Sequence, residues 1–176
     1  MSASPKRVDI SAIKAEVKKM PPIIEWWYPQ EVPSVLSIVC PLDSAVKLRK
    51  LKFPGDTKGM KVNSGLEFSK EDLAGFVRTG IKLTTTYVVA VDVAGLGIRA
   101  WSLFPQQLVF LASDDTYLEK ELSVVKQGFG FSIEPTKSPA KRDLRDDGER
   151  MLRCLEDVQK TVPTDDLTQK MAEFLG

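Results

Sequence analysis

Histidine is absent from this chain of 176 residues, and its absence excludes more chemistry than any residue present suggests. Without histidine there is no Ser-His-Asp or Cys-His nucleophile system, no His-Glu-x-x-His zinc site and no histidine general base. Two cysteines, Cys40 and Cys154, are too few for a four-cysteine zinc site. Phosphate-binding loops, EF-hands and nucleophile elbows are missing as well. We therefore predict a non-enzymatic protein without catalytic residues, cofactor, metal or small-molecule substrate.

Long apolar runs and patterned cysteines are also missing. A membrane-spanning helix needs roughly 20 apolar residues, and neither such a stretch nor a signal-peptide core occurs. Two widely separated cysteines do not form the even set of a secreted disulfide scaffold. These absences predict a cytoplasmic or nuclear protein, or one that is attached to a membrane only peripherally. The net charge of +1 by itself predicts neither nucleic-acid nor membrane binding.

The residues that are present predict an α+β fold. Hydrophobic residues make up 43% of the chain, enough for one core at this length. We expect a mainly antiparallel β-sheet or β-sandwich with peripheral helices, an N-terminal helix and arm, and C-terminal helices. The predicted segments are a basic helix and arm (1–33), a β-rich core (34–134), a linker (135–142) and a helical segment (143–176).

Individual elements follow from the same patterns. The clearest is a strand over Ile81–Val91, whose long alternation places Leu83 and Tyr87 on a buried face. Further strands are predicted over 35–40, 45–53 with a bulge near Lys50, 60–68, 98–104, 108–112 and 129–133, with a hairpin turn at Gly95-Leu-Gly97. Helices are predicted over 10–20 with Asp9 or Ser11 as cap, after Ser69, over 113–128, and along 144–158 and 167–174.

The acidic doublets Asp114-Asp115, Asp146-Asp147 and Asp165-Asp166 lie at these predicted helix starts, where capping explains them. Phe129 and Phe131 are spaced by glycines in the manner of RNA-stacking strands, but the segment does not match the full RNP1 pattern. We therefore expect both phenylalanines to pack in the core.

Trp26, Trp27 and Tyr28 form the most suggestive group. They lie in a segment bounded by Pro22 and Pro33, here called the aromatic arm, where prolines disfavour helix and central strand alike. Three adjacent large side chains cannot all face one interior, and Trp and Tyr are typical anchors of interfaces. The arm either folds against its own domain or docks on another copy or a membrane. Self-association is the functional hypothesis.

Six cations are concentrated in and after the strand predicted at 45–53: Lys47, Arg49, Lys50, Lys52, Lys58 and Lys61. On a strand and its hairpin they form one positive patch for RNA phosphates or anionic lipid. The alternative is a solvated edge strand, because lysines also prevent edge-to-edge aggregation. Both interpretations stay open.

The order of these features resembles the small matrix proteins of negative-strand RNA viruses, most nearly the plant rhabdovirus type. The shared order is a basic tail, a proline-rich aromatic arm and one β-rich domain, with local likeness over Arg78–Tyr87 and Gln127–Glu134. The resemblance implies self-association, condensation of a nucleoprotein–RNA complex and attachment to an inner membrane leaflet. The chain departs from the family in two ways. Pro21-Pro22-Ile23-Ile24 lacks the tyrosine of a PPxY motif, and the tail has no dense polybasic run.

We therefore expect a structural protein, of the viral matrix type, that forms homo-oligomers and bridges nucleoprotein–RNA and an anionic membrane surface. The alternative is a nucleic-acid-binding module such as a viral silencing suppressor or movement-type protein. An enzyme that depends on carboxylates alone is a third hypothesis.

Overall fold

One antiparallel sheet of seven strands organises the chain, with six helices around it in the described residues, which confirms the predicted α+β class. The computed structural model describes residues 7–19 and 23–176. The strands are β1 (Ser34–Ile38), β2 (Val46–Lys52), β3 (Met60–Lys61), β4 (Lys82–Val93), β5 (Gly97–Leu103), β6 (Lys120–Gln127) and β7 (Gly130–Pro139). The helices are α1 (Ile10–Lys19), α2 (Lys70–Thr79), α3 (Pro105–Ala112), α4 (Thr116–Glu119), α5 (Arg145–Lys160) and α6 (Asp165–Leu175). The helix end predicted at Met20, Pro21 and Pro22 lies outside the described residues.

Strand β4 is the centre of the sheet, as its long alternation predicts. Strand β5 pairs along one side of β4, while β2 and β1 follow one another along the other side. Strand β3 extends the sheet beyond β2, and β6 and β7 extend it beyond β1. The predicted hairpin turn joins β4 to β5, with Gly95 and Gly97 both at positive φ.

Two helix starts form as the sequence predicts. The Asp9 carboxylate accepts a hydrogen bond from the Ser11 backbone N–H at 3.0 Å and so caps α1. Ser69 and Asp72 form a reciprocal capping box at α2, with both hydrogen bonds at 3.0 Å. These caps satisfy backbone donors that the first turn of each helix leaves free.

Helix α5 packs on one side of the sheet, here called the α5 face. Met151 and Leu155, on the predicted apolar stripe, are buried against Val88 and Ala90 of β4. The approach is close, because a Cβ at Gly148 would lie 2.8 Å from Val39 Cγ2 and 3.0 Å from Ala90 Cβ. The first C-terminal helix therefore packs on its own sheet.

The opposite face is covered along its length by two further clusters. Helices α3 and α4 cover Val89, Val91 and Trp101 at one end. Helices α2 and α6 cover Leu51 and Ile81 at the other end. Leu83 and Tyr87 point to this side as predicted, although each keeps part of its surface exposed.

Strand β2 runs without the predicted bulge. Its register with β4 is unbroken from the pair Val46 and Val88 to the pair Lys52 and Lys82. The apolar positions change phase along the strand because the covering helices change sides: α5 covers Val46 on one face, whereas α2 and α6 cover Leu51 on the other. The segment 60–68 is a strand only at β3.

Three other predictions are wrong. The segment 108–112 belongs to α3, which Pro105 opens and which Gln107 caps by accepting the Phe104 N–H at 2.9 Å. The helix predicted over 113–128 is only the short α4, followed by β6, on which Leu122 and Val124 alternate toward the core. Short apolar runs of this kind fit helix and strand equally.

The third wrong prediction is the linker. Residues 135–139 of the segment 135–142 belong to β7, and Pro135 lies opposite Leu122 of β6. Strand β7 is the outermost strand, where the missing proline N–H costs no ladder hydrogen bond. The β-rich core therefore extends to Pro139.

Candidate anion-binding surface and aromatic trough

The half of the α5 face that α5 does not cover carries four lysines in two opposed pairs. Lys50 of β2 lies opposite Lys61 of β3, and Lys52 of β2 lies opposite Lys82 of β4. Directly opposed residues share one side of a sheet, with Cβ atoms about 5 Å apart. The alternation of side chains along β2 places both pairs on the same side. These four residues are called the lysine row.

No carboxylate neutralises the lysine row within the described part of the chain. The four side chains are exposed, and none of them takes part in the ion pairs found among residues 7–19 and 23–176. Like charges directly opposite one another destabilise a strand pair. An anion bound over the two pairs would relieve this repulsion.

The structure divides the six cations predicted as one patch. Lys50, Lys52 and Lys61 belong to the lysine row, whereas Lys47 is opposite Tyr87 and points to the other side of the sheet. Lys58 lies in the exposed turn between β2 and β3. The prediction of a single patch is therefore wrong for Lys47, because an uninterrupted strand sends neighbouring side chains to opposite faces.

Arg49 also leaves the patch, and its guanidinium has a structural role. It donates a hydrogen bond to the Asn63 carbonyl at 2.9 Å and another to the Leu66 carbonyl. The same group lies over the Phe68 ring, 5.5 Å from its centroid. Arg49 thus holds the loop after β3 against β2.

Lys82 joins the lysine row although the sequence pattern does not single it out. Lys82, Thr84 and Thr86 alternate on the polar side of the predicted central strand, far along the chain from the other cations. The pairing register brings Lys82 beside Lys52. The spacing of residues along the chain does not show which residues of two distant strands lie opposite one another.

The aromatic arm docks on its own chain along the free edge of β5. The Trp27 N–H donates to the Ala100 carbonyl at 2.9 Å, and the Ala100 N–H donates to the Glu25 carbonyl at 2.8 Å. The Trp27 side chain is 5% exposed, and its ring meets that of Trp101 edge-on with centroids 5.2 Å apart. The three adjacent aromatic residues therefore do not form one surface.

Trp26 and Tyr28 remain exposed and line a cavity of about 450 Å³ beside the lysine row, here called the aromatic trough. Phe104, at the start of α3, contributes a third ring. The strands contribute hydroxyl and ammonium groups, and α5 contributes apolar side chains: Thr84, Thr86, Ser102, Lys50, Lys61, Leu155 and Val158. Among the described residues that line the trough, none is acidic.

A second cavity, of about 360 Å³, continues the trough toward the β6–β7 turn. The two cavities share Tyr28, Thr86, Ser102 and Phe104. Phe129 lies at the tip of this turn and is fully exposed, contrary to the expectation that it packs in the core. Phe131 does pack inward, with its ring centroid 4.8 Å from that of Trp101.

Helix α1 presents a second uncovered surface. Ile10, Ile13 and Val17 recur at helical spacing and are 58%, 43% and 57% exposed. Arg150 of α5 donates a hydrogen bond to the Lys18 carbonyl at 2.7 Å, which ties α1 to α5. The exposed apolar residues of α1 are called the α1 row.

The acidic doublets lie at the starts of three helices, as predicted. Asp114 accepts the Thr116 backbone N–H at 2.9 Å, and this hydrogen bond, with one from the Thr116 side chain, lowers the pKa of Asp114. The other doublets occupy the first turns of α5 and α6. The described residues contain no group of three or more acidic or cysteine side chains arranged to hold a metal ion.

Comparisons with family models, curated proteins and solved structures found no match to this chain. Among the helices of the described ranges, none has both the length and the apolar character needed to cross a bilayer. The lysine row, the aromatic trough and the α1 row are therefore the features from which a function can be inferred.

Proposed function

We propose that this chain is a non-enzymatic assembly protein of the viral matrix type, which associates with copies of itself and contacts a nucleoprotein–RNA partner. One observation carries the proposal: a single small domain exposes two surfaces of different chemistry, the cationic lysine row and the apolar α1 row. A protein that joins its own copies to a polyanion needs both kinds of surface.

The lysine row supports the contact with RNA. Exposed lysines that neutralise phosphates release counterions and bind in a salt-dependent way. Edge protection explains the row less well, because Lys50 lies between two paired neighbours, Lys61 and Thr84. Two opposed lysine pairs carry an electrostatic cost in the free chain that phosphates bound across them would offset.

The α1 row supports self-association. Clustered exposed apolar residues mark interaction surfaces more reliably than single ones. The sequence suggests the arm as the surface that docks on another copy, but Trp27 is buried in its own chain. We therefore assign self-association to α1. Lys14 shares the side of α1 that carries this row, at helical spacing from Ile10 and Val17, and Lys18 lies at its edge, so an anionic membrane is the competing occupant.

The two surfaces lie along different parts of α5, so one copy can use both together. Arg150, in the first half of α5, bonds α1, whereas Val158, near the end of α5, lines the trough beside the lysine row. The eight helical steps between them correspond to about 12 Å.

The test is sedimentation velocity at several protein concentrations, with and without single-stranded RNA. Ile13→Asp should abolish concentration-dependent association and keep RNA binding. Lys50→Glu/Lys61→Glu should show the reverse, and thermal melting first establishes that both variants fold. An Ile13→Asp protein that self-associates like the parent would contradict the proposal. Loss of binding to phosphatidylserine vesicles in that variant, without loss of self-association, would assign α1 to a membrane.

A nucleic-acid-binding module that does not assemble is the second candidate, and the aromatic trough beside the lysine row favours it. Such a protein would stay monomeric at every concentration while its RNA affinity falls steeply with salt. The same sedimentation series distinguishes the two functions.

A further inference from the structure

We infer that the aromatic trough binds the bases of a single-stranded nucleic acid whose phosphates lie over the lysine row. The inference rests on the RNA-contacting part of the proposed function and specifies its ligand. Rings and cations lie together at one cavity, with no acidic residue among its described lining.

Three exposed rings beside unpaired cations match a ligand that carries both π-faces and negative charge. Trp26, Tyr28 and Phe104 are 40%, 56% and 50% exposed, although large aromatic side chains are usually buried when nothing binds them. Proteins that bind single strands combine a cationic groove with rings on which bases stack. A phosphate or carboxylate group alone would use the lysines and leave the rings that line the cavity without a stacking partner.

The sheet also supplies hydrogen-bonding groups with no other use. The hydroxyls of Thr84, Thr86 and Ser102 line the trough, and none of them forms a side-chain hydrogen bond with a residue of the described ranges. They lie on β4 and β5, between the lysine row and the rings. Base edges or sugar hydroxyls bound there would meet both donors and acceptors.

The site extends beyond one base, because the second cavity continues it past Phe104 to Phe129 and Lys126. Phe129 is fully exposed at the tip of a hairpin turn, between Gly128 and Gly130. A fourth ring, Phe129, therefore lies at the far end beside Lys126, whose ammonium is 3.6 Å from the Glu31 carboxylate, whereas the lysines at the near end have no such partner in the described residues.

The arrangement selects single strands over duplexes. Bases in a duplex are paired and stacked on one another, so their faces cannot reach rings recessed in a trough. Bases in a single strand can be splayed out and stacked on aromatic side chains. A duplex could contact only the lysine row.

The experiment is fluorescence anisotropy of a labelled short oligouridylate titrated with the full chain. Tyr28→Ala and Phe104→Ala should each weaken binding by at least about 5-fold while leaving the salt dependence unchanged, since each removes a stacking surface but no cation. Phe110→Ala is the matched control. Phe110 is 49% exposed on α3, contacts Tyr117 and lies outside both cavities, so its removal should leave affinity unchanged.

Competition with duplex RNA, inorganic polyphosphate and phosphatidylserine vesicles identifies the source of the affinity. We expect each competitor to displace the single strand poorly from the parent, and to bind the parent and the ring variants with equal affinity. If a competitor matches the single strand and the ring variants bind like the parent, the inference is overturned while the lysine row stands as a polyanion site. If no polyanion binds at all, the inference and the RNA-contacting part of the proposed function both fail.

Discussion

The two halves of the α5 face are built by the same strands but carry different side chains. Along β2, Val46 lies under α5, whereas Lys50 and Lys52 lie beyond it and are exposed. Along β4, Ala90 is fully buried, whereas Lys82 is exposed. The change from apolar to cationic residues occurs in both strands where the cover of α5 ends.

The opposite face shows that the uncovered half is not a weakly folded end of the sheet. Leu51, next to the two exposed lysines on β2, has no exposed surface and packs with Phe76 and Leu167. The lysine row therefore stands on strands fixed by a core behind them. A rigid support of this kind suits a binding surface better than a frayed edge.

The largest expected difference in stability is between variants of two adjacent residues of the arm, whose side chains point to opposite faces of the sheet. Trp27→Ala should lower the free energy of unfolding by roughly 3–5 kcal/mol, because it empties a core position. Trp26→Ala should change it by less than about 1 kcal/mol. Urea denaturation of both variants measures the difference, and equal losses would show that the arm does not separate its side chains between the faces.

A similar comparison applies to neighbours on β4 within the uncovered half. Leu83→Ala should cost roughly 2 kcal/mol or more, because Leu83 packs against the cluster under α2 and α6. Thr84→Ala, on the α5 face, should stay within about 0.5 kcal/mol. An unchanged denaturation midpoint for Leu83→Ala would mean that this end of the sheet has no core behind it.

Gly148→Ala tests how closely α5 sits on the covered half. The added methyl group would contact Val39, Ala90 and Cys40 within about 3 Å, so overpacking should cost roughly 1–3 kcal/mol although alanine favours helix. Thermal melting checks the prediction. A more stable variant would mean that α5 lies farther from the sheet than the packing around Gly148 indicates.

The thiol of Cys40, which is buried in the covered half, makes the stability of the fold decrease at high pH. Burial, together with the charge of Glu149, raises the pKa of the Cys40 thiol from 9.0 to about 11. A raised folded-state pKa means that stability is complete below pH 9 and is lost as the pH rises toward 11. The loss should reach at most about 3 kcal/mol. Cys40→Ala should lack this component, and parallel slopes for both proteins between pH 9 and pH 11 would refute it.

Much of the fold could be predicted from local patterns, because the period of the apolar residues and the capping of a helix depend on residues that are close in the chain. The alternation over Ile81–Val91 identifies β4, and Ser69 with Asp72 identifies the start of α2. The prediction for the segment 113–128 failed because Leu118, Leu122 and Val125 also fit helical spacing, and only pairing with β1 and β7 makes 120–127 a strand.

The candidate site depends on contacts between distant segments, so the sequence predicts only parts of it. Lys50, Lys52 and Lys61 are close in the chain and can be grouped from the sequence, but Lys82 joins them only through the register of β2 and β4. A bulge near Lys50 would put Lys47 on the same side of the strand as Lys52, whereas the unbroken register puts the two lysines on opposite sides. The sequence pattern puts Phe104 at a strand end, whereas its place beside Tyr28 follows from the docking of the arm on β5.

The most direct test of the central claim is charge reversal on the two sides of β2. Lys50→Glu/Lys52→Glu changes the lysine row, and Lys47→Glu changes the same strand on the other face. Binding of single-stranded RNA should weaken only in the first variant, with the slope of log affinity against log salt flattened by about 0.7 for each phosphate that the protein no longer neutralises. Equal weakening by Lys47→Glu, or unchanged binding in Lys50→Glu/Lys52→Glu, would contradict the assignment of the uncovered half as the anion-binding surface.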